Sequence, residues 1–176
     1  MPKQSKIEKL GEQPCPVCNN KTLTLMQEEV EVPFFGKTLV FSMKCSGCNY
    51  SMSDVEALEK KEPSKYTLDI DNEKDMNIKI VKSSTATVKI PYITDIEPGQ
   101  VSEGYITTVE GLFNRVKAQV EHIRDSAEDD DERNKAKNLV KKITRIRWGQ
   151  EKAKIIIEDP NGNSAIISDK AKKSKL

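Results

Sequence analysis

The residues best able to do chemistry are four cysteines in two matched pairs, Cys15 and Cys18 in PCPVCNNK and Cys45 and Cys48 in KCSGCNYS. They are all the cysteines in the chain. Two C-x-x-C pairs admit disulfides, a redox couple, a catalytic metal site or a structural zinc clamp. A redox pair opens a helix after a strand within a βαβ pattern, whereas Cys15 follows a polar leader and Cys48 runs into Asn49, Tyr50 and Ser51. Turn formers surround both pairs instead, Pro16 and Asn19 at the first and Gly47 and Asn49 at the second. Such residues accept the tight, partly left-handed backbone that aims amide groups at thiolate sulfurs. The pairs read as zinc knuckles. Four thiolates fill a tetrahedral shell and leave no position for water, so the expected cofactor is one structural Zn²⁺ on Cys15, Cys18, Cys45 and Cys48.

The segments between the knuckles must hold them together. KTLTLMQEEVEV and KTLVFSMKC alternate like strands, and PFFGK interrupts them with a proline and a glycine. The expectation is a zinc ribbon over residues 11–57, too small to bury a sufficient core without metal. Apparent zinc binding energies of about 10–16 kcal/mol in small finger peptides exceed that deficit. Phe34 and Phe35 sit at the ribbon's turn, and adjacent residues in an extended segment face opposite sides. One ring is expected to pack and the other to be free as an aromatic anchor for a partner.

EKKEPSKY, with charge and Pro63, marks a linker, and a second unit begins near Tyr66. YTLDI, NIKIVKS, TATVKIPYI and GYIT read as short strands. The period then switches: Val109, Leu112, Phe113, Val116, Val120 and Ile123 recur at helical spacing, with Thr107 and Glu110 forming a capping box. Leu139, Val140, Ile143 and Ile146 make a second apolar stripe, with EDDDE before it and Gly149 as its C-terminal stop. The stripes predict a helical hairpin, 109–127 and 132–148. AKIIIED and SAIIS follow as strands joined by DPNGN, a tight turn with Gly162 left-handed. The fold class is therefore mainly β with a helical hairpin (α+β). The expected units are a zinc ribbon with a polar leader over 1–60, a β domain with the hairpin over 64–168, and a basic disordered tail over 169–176.

Composition excludes several functions. The 176-residue chain is 32% charged with a formal net charge of +1, so no field of one sign points to nucleic acid or an anionic membrane. MPKQSKIEKLGEQP has no apolar signal region, and no stretch approaches a bilayer span. A soluble cytoplasmic protein is expected, where thiols stay reduced. The single histidine, His122, lies in the first helix, too isolated for a histidine-rich catalytic metal site. There is no G-x-S-x-G elbow, P-loop or spare cysteine nucleophile, so no enzyme is expected. A nucleic-acid-binding zinc ribbon of transcription or translation is the rival reading. From residue 14 to 50, however, Lys21, Lys37 and Lys44 are matched by Glu28, Glu29 and Glu31. Four thiolates on one Zn²⁺ then make the module anionic, poorly suited to phosphates. The basic face of the second helix, with Arg133, Lys137, Lys141, Lys142 and Arg145, is equally accounted for by a solvated helix matched to its dipole.

CPVC, VPFFGKTLVFSMKCSGCNY, VKSSTATVKIPYI, GYITTVEGLF and EDPNGNSAII together resemble the ZPR-type zinc finger family, from residue 15 to 167. The resemblance implies a four-cysteine ribbon followed by a double-stranded β-helix carrying a helical hairpin. Similar eukaryotic proteins carry two such units in tandem; one unit resembles the archaeal form. The resemblance also implies a partner, because similar proteins bind translation elongation factor 1-alpha and are implicated in its folding. The surfaces expected to serve an equivalent GTPase are Phe34 and Phe35 on the ribbon, with Thr107, Thr108, Asp159, Asn161 and Ser164 as a second contact.

Overall fold

A computed structural model describes residues 7–32, 36–58, 61–99 and 102–176. The ribbon is a four-stranded antiparallel sheet in the order β1-β2-β3-β4, formed by β1 Glu8–Gln13, β2 Leu23–Val32, β3 Gly36–Cys45 and β4 Ser51–Ala57. In the β2–β3 register Leu23 lies opposite Cys45 and Leu25 opposite Met43, so apolar side chains gather on the knuckle-bearing end of one face. The leader is not merely polar chain: β1 pairs with β2, Leu10 opposite Leu25. Short polar segments give weak periodicity, but the open edge of β2 offers ladder partners whatever the side chains. Phe34 and Phe35, expected as aromatic anchors, lie outside the described residues.

The second unit is a two-sheet jelly roll. One sheet has the order β12-β5-β10-β7-β8, from β5 Ser64–Ile70, β7 Thr87–Ile90, β8 Thr94–Ile96, β10 Ala153–Asp159 and β12 Lys172–Lys175. The other has the order β11-β6-β9, from β6 Lys79–Lys82, β9 Tyr105–Thr108 and β11 Ala165–Ile167. Alternation sends Leu68, Ile70, Val88, Ile90, Ile155 and Ile157 inward to meet Ile80 from the facing sheet. Helices α1 Val109–Ser126 and α2 Asp130–Arg147 add Leu112, Phe113, Val116, Ile143 and Ile146 to the same core. Ile123, expected on the apolar stripe, is exposed. It lies in the last turn of α1.

Several local expectations change. The N-cap of α1 is Thr108, whose Oγ1 accepts the Gly111 amide at 3.1 Å, and not Thr107. Glu110 is drawn instead to Arg147 of α2 at 2.6 Å, so its carboxylate ties the hairpin and makes no capping box. Gly149 does stop α2: at φ +67 its amide donates to the Ile146 carbonyl, and the Gln150 amide donates to the Arg145 carbonyl. A side chain there would also strike the backbone of Glu73. The 159–163 turn has Gly162 at φ +64, yet it makes no hairpin, since β10 and β11 enter different sheets. The basic segment 169–176 is not a loose tail. Lys173 pairs with Tyr66 and Lys175 with Ser64, because β5 has an open edge and ladder bonds need no apolar side chain. Its outward lysines then blunt the new edge.

Candidate metal centre

The knuckles are built alike. Cys15 donates its amide to the Asn20 carbonyl at 2.9 Å, and Cys45 donates to the Tyr50 carbonyl at 2.8 Å. Each pair is followed by an asparagine in the left-handed region, Asn19 at φ 57 and Asn49 at φ 59, the turn those residue types predict. The Val17 amide donates to Cys15 Sγ at 3.4 Å and the Gly47 amide to Cys45 Sγ at 3.3 Å. Gly47 must lack a side chain, since a Cβ would come within 2.9 Å of Thr22 Oγ1, which itself contacts Cys45 Sγ at 3.2 Å.

The antiparallel β2–β3 ladder brings both knuckles to one end of the ribbon, and the four Sγ atoms lie within 4.8 Å of one another. Cys15 and Cys48 are 3.6 Å apart, and Cys18 and Cys45 3.7 Å. A tetrahedron with Zn–S bonds of about 2.3 Å has edges of about 3.8 Å, while a disulfide is about 2.05 Å. All four cysteines are free. The donor set therefore fits one Zn²⁺ in a closed shell and no disulfide. The four sulfurs sit in electrostatically unequal surroundings. The Thr22 hydroxyl and the Cys48 and Gly47 amides outweigh desolvation and lower the Cys45 thiol to about 6. At Cys48 the Tyr50 amide favours the thiolate, but desolvation and the three neighbouring sulfurs push the group up to about 12. A divalent cation removes that frustration by neutralising the shared charge.

Of the residues expected as a second contact, Thr107, Thr108 and Asn161 are half-buried and two are closed off. Asp159 and Ser164 are buried. Asp159 Oδ2 accepts Ser83 Oγ at 2.8 Å, Ser164 Oγ at 2.7 Å and the Asn163 amide at 2.9 Å; Oδ1 accepts Thr85 Oγ1 at 3.0 Å and the Asn161 amide at 2.9 Å. Although burial opposes ionisation, these donors hold the carboxyl below its usual range. Asn161 gives its carbonyl to the Lys61 amide, and Gly162 lies against the Glu62 carbonyl. This loop is thus an internal clasp over the linker, with both Asp159 carboxylate oxygens already engaged. Thr107 and Thr108 are half-buried at the start of α1. Alternation could have flagged Asp159, which is in phase with Ile155 and Ile157 along β10.

A closed four-thiolate ribbon joined to an antiparallel jelly roll that carries a helical hairpin defines a structural-zinc class of protein. Residues 6–63 match the ZPR1 zinc-finger domain and residues 74–176 the ZPR1 jelly-roll domain, and the chain belongs to the ZPR1 family. It is 40% identical over 157 residues to an uncharacterized ZPR1-like protein of Methanocaldococcus jannaschii, covering 88% of this chain and 79% of that one. Identity to an uncharacterized ZPR1-like protein of Pyrococcus horikoshii is 34% over 179 residues, covering 99% and 80%. The zinc finger chaperone zpr1 of Schizosaccharomyces pombe is 28% identical over 156 residues, 86% of this chain but 33% of that protein. No described helix is long and apolar enough to cross a membrane.

Proposed function

We propose that this chain is a cytoplasmic protein-binding module that assists folding, not an enzyme, and that its partner is a translation elongation factor 1-alpha-type GTPase. The observation that carries this is the ribbon's surface. Its metal shell is closed, yet the small module leaves Ile7, Leu10 and Val17 more than half exposed, at 62%, 60% and 62%. Apolar side chains in a zinc-stapled scaffold supply contact area without electrostatic steering. The word chaperone in the S. pombe relative's name agrees with that use, and the elongation factor follows from the family resemblance. On the basic face of α2, Arg133 is engaged by Asp130 and Lys142 by Glu151. Calorimetry of the zinc-loaded protein with purified elongation factor in GDP, GTP and nucleotide-free forms tests the proposal. Binding should appear in at least one form and weaken in a folded Phe34→Ala, Phe35→Ala variant. No binding in any form refutes the partner, and an unaffected variant removes the two phenylalanines from the contact.

A further inference from the structure

The ribbon and the jelly roll meet where Val40 and Val55 pack on Val81 and Ile167. Beside this seam lies a cavity of about 300 Å³ lined by Ser53 of β4, by Lys82, Ser102, Gly104 and Tyr105 of the jelly roll, and by Arg115 of α1. Gly104 is held there by the ribbon, its amide donating to Asp54 Oδ1 at 2.7 Å, with no space for a side chain against the Val55 carbonyl. Lys82 follows Ile80 in phase on β6 and is 2% exposed. Its ammonium donates to the Ser83 carbonyl at 3.0 Å and reaches Ser102 Oγ at 3.4 Å. Among the described residues it makes no ion pair; Asp159 and Asp54 act on it only from a distance, against a desolvation that lowers its proton affinity. A buried ammonium without a contacting counter-charge is costly to keep. The Arg115 guanidinium, also without an ion pair among the described residues, lies 4.3 Å from the centroid of the Tyr105 ring, and Lys82 Nζ lies 5.6 Å from the same ring. Two unpaired cations therefore converge on one aromatic ring at the edge of a cavity.

We propose that this seam cavity binds a single carboxylate carried by a protein segment, held between the Lys82 ammonium and the Arg115 guanidinium. Lys82 and Arg115 are opposed in the lining by Glu103, with Asp54 and Asp159 acting on Lys82 from further off, so a phosphate dianion is disfavoured relative to a single carboxylate. A guanidinium stacked on a ring keeps its edge donors for a planar two-oxygen acceptor. The volume is at the small end of ligand pockets, about 300–1,000 Å³, with room for one acidic side chain. Because Ser53 belongs to the ribbon and the cations to the jelly roll, an occupant would bridge the two units.

The proposal rests on the reading of the chain as a protein-binding module, and its test contains no elongation factor. The intact zinc-loaded protein is titrated with N-acetyl-glutamate α-amide, its glutamine analogue and inorganic phosphate while ¹H–¹⁵N NMR spectra are recorded. The glutamate probe should give saturable shifts centred on the Ser53, Gly104 and Tyr105 amides and the Arg115 Nε–H; the glutamine analogue should give none. Arg115→Gln, an exposed position that keeps the fold, should weaken binding at least about tenfold, as should Lys82→Met if folded. Absence of saturable shifts, equal binding of the glutamine analogue, tighter binding of phosphate, or undiminished affinity in Arg115→Gln each overturns the site. A positive titration beside a failed elongation-factor experiment would overturn the named partner and leave the cavity standing.

Discussion

Asp159→Asn isolates what the 159–164 loop contributes. The native carboxylate accepts five hydrogen bonds, three at Oδ2 and two at Oδ1. An asparagine presents one acceptor oxygen and one donor NH₂. If its oxygen replaces Oδ2, the Asn161 amide faces a donor; if it replaces Oδ1, the Asn163 amide does. The serine and threonine hydroxyls can rotate to accept, but a backbone amide cannot. One orphaned buried amide costs about 1–3 kcal/mol, and loss of the charge on the remaining bonds adds about 1.5–3 kcal/mol. The expected destabilisation is about 2.5–6 kcal/mol, measured by urea unfolding of the zinc-loaded protein with an unchanged m-value. The pH dependence has a definite sign. Because the folded carboxyl is held below its ordinary value, its stabilisation is present above the unfolded pKa of about 3.9 and is lost as pH falls through the folded value. The gap between wild type and Asp159→Asn should therefore be constant near neutrality and narrow below about pH 4. A loss under about 1 kcal/mol, or a gap that widens in acid, would refute the internal-clasp assignment.

Metal analysis of the purified protein should find one zinc per chain, and Cys45→Ser should abolish the ribbon's amide protection while the jelly-roll core stays protected; full zinc retention by the variant would contradict the four-thiolate shell. Ending the chain after Ala171 removes β12 and reopens the β5 edge, at a cost of about 1–3 kcal/mol for its ladder bonds. Faster hydrogen exchange at the β5 amides that face β12 should accompany it, and a loss below about 0.5 kcal/mol with unchanged exchange would show that the segment is a free tail.

Cysteine spacing and turn residues determined the metal centre from the sequence alone, because ligand chemistry and left-handed turns are local properties: Asn19 and Asn49 adopt the backbone their types favour wherever the chain goes. The helical stripes were legible for a related reason. Phe113, Val116, Ile143 and Ile146 repeat at the period that one buried face demands. Strand partners were not legible, since a ladder bond is made by backbone that every residue carries. Polar Glu8–Gln13 and basic Lys172–Lys175 become strands only because β2 and β5 offer open edges. Only the tertiary structure turned Asp159 inward, split the strands around DPNGN between two sheets, and brought Lys82 and Arg115 to the Tyr105 ring. Positions 54, 82, 104 and 115 share no local pattern; the packing of ribbon on jelly roll brings them together, and desolvation there gives an ordinary lysine a chemical use.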